Sequence, residues 1–227
     1  MAATDCAATF CVNLLIMNSH DTIAIVDYGH GNIGSILNML KKVGCRGELV
    51  STPQALEHAN KIILPGVGAF DSGMRALEER GFCDVLRRKV KEDGVPLLGI
   101  CLGMQMLGKG SEEGARKGLE LIDASCVRFA PLSEVPQLKV PQMGWNEVAC
   151  HGNAALFDGL DLLSRFYFVH SYHLVCARER DVAATAIYGI PFVAAVEQGN
   201  IFGVQFHPEK SHRFGRHLLK NFAEFPC

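Results

Sequence analysis

From Thr22 onward, short runs of β-branched and apolar residues alternate with stretches in which apolar positions recur every three or four residues. TIAIV (22–26) has the composition of a strand buried on both faces and ends in a Gly-rich turn. Ile33, Ile36, Leu37 and Leu40 then follow the i, i+3, i+4, i+7 spacing of an amphipathic helix, closed by Gly44. ELVS (48–51) predicts a second strand, and Thr52-Pro53 is a cap followed by a proline suited to the first helical position. KIIL (61–64) predicts a third strand stopping at Pro65-Gly66; helical patterns over 71–80 and 82–93 follow, then the buried strand VPLLGI (95–100).

Strand, helix, strand in this rhythm implies an α/β fold with a mostly parallel, flavodoxin-like central sheet and helices on both faces. Ligands of such sheets gather at the carboxyl ends of the strands. The second half is richer in strands: SCVRF (125–129), FYFVH (166–170), AATAIY (183–188), FVAAV (192–196) and IFGVQF (201–206), with a closing helix near 211–225. No repeat or linker divides the chain, so residues 21–227 read as one domain. Residues 1–20 read as a loosely held extension, with Met17 as an alternative start. The extension has no Lys or Arg before its short apolar centre, which argues against a signal or transit peptide.

Composition narrows the function classes. With 48% hydrophobic and 20% charged residues the chain can bury a core, and its net charge of −2 gives no reason to expect a nucleic-acid or membrane partner. No apolar run reaches the length of a membrane span. Nine cysteines without a CxxC pair read as reduced thiols of a cytoplasmic protein, and no zinc pattern or other metal site is expected.

The chemistry concentrates at Gly99-Ile100-Cys101-Leu102-Gly103, directly after a strand and before a helical stretch: a nucleophile elbow with cysteine in place of serine. Glycines let strand and helix approach closely, and the start of a helix favours a thiolate. The Leu102 amide then points where an oxyanion would form. A cysteine nucleophile needs a base, and the base an orienting partner. His207-Pro208-Glu209, after IFGVQF, supplies both, since residues i and i+2 of an extended segment share a face. Pro208 biases His207 toward extended backbone. A second oxyanion donor is expected from Pro65-Gly66-Val67-Gly68, at the end of another strand, with the Val67 amide as the candidate. An ordinary βα turn is the plain alternative for that loop. Gly29-His30-Gly31-Asn32-Ile33-Gly34 matches a dinucleotide fingerprint, but the acid expected at the end of the next strand is missing, where Ser51-Thr52 stand. His170 and His173 would face opposite sides of a strand, which disfavours a shared metal and leaves them structural or pocket-lining.

GICLGMQ (99–105), PGVGAF (65–70) and GVQFHPEKS (203–211) together resemble the class I, triad-type glutamine amidotransferases. With DYGHGN (27–32) and VPQMGWNEV (140–148), the pattern is most similar to the glutaminase subunits of imidazole glycerol phosphate synthase, from about Thr22 to the C-terminus. The resemblance implies hydrolysis of glutamine to glutamate and ammonia by a Cys101–His207–Glu209 triad, without a cofactor. It also implies substrate binding by Gly68, Gln105, Glu113, Ser171 and Tyr172. The implied partner is a (β/α)₈-barrel cyclase that uses the ammonia in histidine biosynthesis, docked near Asn32, Gln142, Trp145 and Lys210. Gln142 stands where a histidine is common in the family. A relative serving another synthase, a free-standing γ-glutamyl hydrolase and a non-catalytic module of the same fold are the competing readings.

Overall fold

The computed structural model describes residues 22–129, 138–161 and 164–226; the expected N-terminal extension lies outside them. Strands β1 (Thr22–Val26), β2 (Arg46–Val50), β3 (Ile62–Gly66) and β4 (Leu97–Cys101) build the first half with helices α1 (Ile33–Lys42), α2 (Pro53–Leu56), α3 (Phe70–Glu79), α4 (Phe82–Lys91) and the short α5 (Leu102–Met106). The second half contributes β5 (Ala124–Arg128), β6 (Gln142–Glu147), β7 (Ala149–Cys150), β8 (Arg165–His170), β9 (Tyr172–Cys176), β10 (Val182–Tyr188), β11 (Ile190–Gln198), β12 (Ile201–Val204) and α6 (His212–Glu224).

The main sheet runs β2-β1-β3-β4-β12-β11-β10-β7, with β9 on β11 and β5 on β9. Every pairing from β2 to β12 is parallel, and those beyond β12 are antiparallel. The inner parallel strands β1, β3, β4 and β12 are apolar because both faces are covered, whereas the edge strand β2, RGELV, is largely exposed. In β1, Ala24 and Val26 face the core under α2–α5, whereas Ile23 and Ile25 face the core shared with α1 and α6.

Three differences from the sequence reading have physical causes. β3 continues through Pro65 and Gly66, because its ladder to β4 (Pro65 opposite Ile100, Gly66 opposite Cys101) carries the strand past the proline. β6 was not anticipated: it pairs with β8 in a separate two-stranded sheet, from Gln142 opposite His170 to Glu147 opposite Arg165. The segment containing His170 and His173 is not one strand. β8 ends at His170, β9 begins at Tyr172, and both imidazoles pack on Phe129 (5.3 and 4.6 Å between centroids) and on Phe192. The expectation that they face opposite sides is therefore corrected: the break at Ser171 turns both into one aromatic cluster.

Candidate active site

β4 ends in Cys101 with φ 55° and ψ −110°, a backbone conformation that residues with a Cβ rarely adopt and that costs on the order of 1–3 kcal/mol. Leu102 opens α5 immediately afterwards. The elbow is possible because of the glycines around it: a Cβ on Gly103 would lie 1.9 Å from Leu64 O, and one on Gly99 would lie 2.8 Å from backbone atoms of Gly103 and Met104. Strand and helix thus touch backbone to backbone behind the nucleophile.

β12 runs parallel to β4 with Val204 opposite Ile100, so the residues that follow approach Cys101 from the side. His207 has φ −101° and ψ 96°, the extended geometry expected before Pro208. Its Nδ1 lies 2.9 Å from Glu209 Oε1, and both side chains are buried. A carboxylate at Nδ1 fixes a proton there and leaves Nε2 for the thiol side. Nε2 has no other partner of ordinary geometry, nor has the buried Glu209 Oε2. Burial works against the His207 cation, but the polar contacts and charges of Cys101 and Glu209 outweigh it and raise the imidazole from 6.5 to about 10.

A cavity of about 340 Å³ opens over the sulfur, lined by Val67, Gly68, Cys101, Leu102, Gln105, Glu113, Pro141, Val169, His170, Ser171, Tyr172 and His207. A larger cleft of about 660 Å³ lies elsewhere, between residues 149–161 and the end of α6, and contains neither the elbow nor the His–Glu pair. The expected catalytic, oxyanion and substrate-binding residues other than Glu209 therefore share one wall; Glu209 stands behind His207. Gln105 Nε2 donates to Tyr172 O (3.1 Å) and to Gln205 Oε1 (3.0 Å). Glu113 Oε2 accepts from the Phe70 amide (2.8 Å), fastening its loop to the start of α3. The Ser171 carbonyl accepts from the Phe129 amide, and the Tyr172 carbonyl also accepts from His170 Nδ1.

Two residues that the sequence reading did not single out hold the Val67 loop. Tyr28 Oη donates to Pro65 O (2.8 Å), and its burial raises its pKa far above the phenolic range. His30 Nδ1, as the protonated nitrogen, donates to Val67 O (3.2 Å) while its ring stacks on Tyr28. A third is Gln205, fully buried beneath Cys101, whose Nε2 lies 3.7 Å from Sγ. Its signal was its place two residues before His207 on an extended segment, on the same face.

The expected interface residues divide. Trp145 is 46% exposed, stacked on His212 (5.4 Å, 4°) and beside Tyr167, over which the Lys210 ammonium lies at 5.7 Å. Met143, at 65% exposure, extends this patch. Asn32 sits at the start of α1 without a capping hydrogen bond. Gln142 is buried, and its Oε1 has no partner. Among the described residues, no group of three or more His, Cys, Asp or Glu side chains could hold a metal ion, and no helix is long and apolar enough to cross a membrane.

Comparison with known proteins adds to this geometry. The family description "Glutamine amidotransferase class-I" matches residues 24–224. The chain is 50% identical over 202 residues to imidazole glycerol phosphate synthase subunit HisH 2 of Methanococcus maripaludis, covering 89% of this chain and 98% of that protein. It is 47% identical over 201 residues to subunit HisH of Leptospira interrogans, covering 88% and 98%. Among solved structures, PurLQS from Thermotoga maritima superposes with a TM-score of 0.68 at 19% identity, covering 88% of this chain and 96% of that one. A glutamine amidotransferase from Thermotoga maritima gives 0.63 at 18% identity, with 92% and 100% covered.

Proposed function

The chain belongs to the class-I glutamine amidotransferase family, and from that premise we propose that it is the glutaminase subunit of imidazole glycerol phosphate synthase, releasing ammonia from glutamine for a (β/α)₈-barrel cyclase. The observation that carries the chemistry is the strained Cys101 elbow beside the buried His207–Glu209 pair, opening on a cavity of side-chain size. Near-full-length similarity to HisH subunits carries the choice of synthase. The free thiols of Cys83, Cys101, Cys126, Cys150 and Cys176 suit a reducing, cytoplasmic setting.

The glutamine side chain enters with its amide carbon over Sγ. Gln105 and Glu113 hold the remainder of the molecule, Glu113 by drawing the substrate ammonium to its carboxylate. Sulfur attacks the carbonyl carbon, and the carbonyl oxygen takes the negative charge toward the Leu102 and Val67 amides. As the tetrahedral adduct collapses, the C–N bond breaks and the His207 imidazolium gives its proton to the departing nitrogen. The raised pKa of His207 keeps that proton available throughout the neutral range. The imidazole, now neutral, takes a proton from water, which attacks the thioester and releases glutamate. The patch of Met143, Trp145 and Tyr167, with Lys210 lying over the tyrosine ring, is where we dock the cyclase: exposed aromatic side chains and methionine are enriched at binding surfaces.

The test is co-purification with a cyclase, followed by glutamine-dependent and ammonia-dependent turnover. Cys101→Ala should abolish the first and leave the second near wild type. Glutamine-driven turnover in Cys101→Ala would remove the nucleophile from this reading. Glutaminase activity indifferent to any cyclase would favour a free-standing hydrolase.

A further inference from the structure

Gln205 is a buried amide between the substrate wall and the nucleophile. It is 0% exposed, its Oε1 accepts from Gln105 Nε2 at 3.0 Å, and its Nε2 donates to Cys101 Sγ at 3.7 Å. We propose that Gln205 is a positioning residue that fixes the polarity of a hydrogen-bond chain from the Tyr172 carbonyl through Gln105 to the Cys101 sulfur, holding that sulfur as an acceptor. The proposal rests on Cys101 being the nucleophile of the glutaminase reading.

The direction of the chain follows from its one fixed end. Tyr172 O is a backbone carbonyl and can only accept. The Gln105 group facing it must therefore be the NH₂, as observed at 3.1 Å. The second hydrogen of that NH₂ points to Gln205, so the Gln205 atom it meets must be the oxygen. The other end of Gln205, facing Sγ, is then a donor. Flipping the Gln205 amide would set two NH₂ groups against each other in a buried site, where an unmade hydrogen bond is costly. Two consequences reach the chemistry. Sγ receives an N–H, a contact that an anionic acceptor makes more strongly than a neutral one. Gln105 Oε1 is left for the cavity as an acceptor, matched to an N–H donor of the bound substrate.

The register explains why this position carries an amide. Cys101 and Gln205 follow the paired residues Ile100 and Val204 on adjacent parallel strands, so position 205 lies beside the nucleophile whatever residue occupies it. An aliphatic side chain would fill the space but leave the sulfur without this donor. The titratable groups around Sγ are His207 with Glu209 behind it, Tyr28 from the end of β1, Cys126 on β5, and Glu113 and His170 on the cavity wall. None of them is altered by substitution at 205.

The experiment measures the pH dependence of iodoacetamide labelling of the Cys101 peptide by mass spectrometry, together with glutamine turnover. Gln205→Met keeps length and volume without the donor; Gln205→Glu keeps the acceptor for Gln105 and sets a carboxylate against the sulfur. The labelling midpoint should rise by about one pH unit in Gln205→Met, the scale of one hydrogen bond to an ion, and further in Gln205→Glu. kcat for glutamine should fall about tenfold or more with KM little changed, the same bond expressed as a rate. A folded Gln205→Met with the wild-type labelling profile would overturn the proposal. If that variant does not fold, Gln105→Met decides: it never touches the sulfur, yet frees Gln205 to flip, so its labelling midpoint must move, and an unmoved midpoint overturns the polarity argument. Labelling needs neither glutamine nor a cyclase. Failure of the glutaminase reading would instead appear as a wild-type chain that labels normally at Cys101 but consumes no glutamine.

Discussion

Replacing Gly103 by alanine adds one methyl group at the tightest contact behind the nucleophile. The new Cβ would lie 1.9 Å from Leu64 O, 3.0 Å from Leu64 C and 3.4 Å from Pro65 C, all of them backbone atoms of β3. Carbon and carbonyl oxygen rest at about 3.3 Å or more, so roughly 1.4 Å of separation must be found. No flexible side chain can yield it: Leu64 is fully buried in the central sheet and paired with Gly99 on β4. The start of α5 must therefore move away from β3, taking with it the Leu102 amide and the Cys101 backbone. A misplacement of about 1 Å in a reacting constellation costs on the order of 10²-fold in rate, and overpacking of this kind costs about 1–3 kcal/mol of stability. Gly103→Ala should therefore lower glutamine-dependent turnover about 100-fold, while cyclase turnover on supplied ammonia survives wherever the complex assembles. Gly34→Ala is the control, since a Cβ there meets nothing within 4 Å and Gly34 lies inside α1. That change should leave turnover intact and raise the urea midpoint slightly, since alanine is favoured over glycine in a helix. Wild-type glutaminase kinetics in Gly103→Ala would refute the claim that backbone contact between β3 and α5 sets the elbow.

Glu209→Gln can offer its carbonyl to His207 Nδ1 and place its NH₂ where Glu209 Oε2 now has no partner, so the tautomer survives and only the charge is lost. kcat/KM should fall about 10–100-fold, against about 10²–10⁴ for His207→Asn, which loses the proton carrier itself; equal losses in the two variants would contradict this. Burial, against an opposing hydrogen bond to Tyr172 O, lowers the His170 pKa from 6.5 to about 4. Below pH 6.5 the unfolded chain takes up a proton there that the folded chain refuses, so acidification costs stability, about 2 kcal/mol from this group by pH 5. Urea unfolding at pH 7 and pH 5 should show that loss shrinking in His170→Asn, which can still donate to Tyr172 O; an unchanged pH difference would refute the assignment.

The parallel half was legible because its signals are local. Ile33, Ile36, Leu37 and Leu40 mark α1 by period alone, and Gly44, at φ 80°, stands where the helix stops. Cys101 announces itself through flanking glycines whose need is steric, as the contacts of Gly99 and Gly103 show. His207, Pro208 and Glu209 are adjacent in sequence, so their geometry needs no distant partner to be foreseen. What stayed hidden depends on pairing across long separations. β6 exists because Gln142–Glu147 meets Arg165–His170, and nothing in MGWNEV alone demands a strand. The turn at Ser171 is set by β9 joining β5 and β11, which brings His170 and His173 onto the same side of Phe129. Gln205 escaped notice because its partners, Gln105 and Cys101, stand 100 and 104 residues away.

The placement of the site follows from where the sheet changes direction. β12 is the last strand of the parallel series and the first with an antiparallel neighbour, so it is flanked by β4 on one side and β11 on the other. With Ile100 beside Val204, the sulfur of Cys101 comes level with position 205, and His207 extends two residues beyond it, roughly 6.6 Å at the rise of an extended chain. That overhang separates two tasks that a single residue could not perform. The group level with the sulfur, Gln205, can donate to it but stands below the cavity floor. The group beyond it, His207, reaches over the sulfur to the space where a leaving nitrogen would sit. A register slip of one residue between β4 and β12 would send both side chains to the other face, because the side-chain period of a strand is two. The apolar residues of β12 oppose such a slip: Phe202 and Val204 lie in the core with Phe206 and Phe222, and all four are fully buried. Exposing even one of them would cost about 1.5–3 kcal/mol. The packing that stabilises β12 is thus the same constraint that holds the base at its working height above the nucleophile.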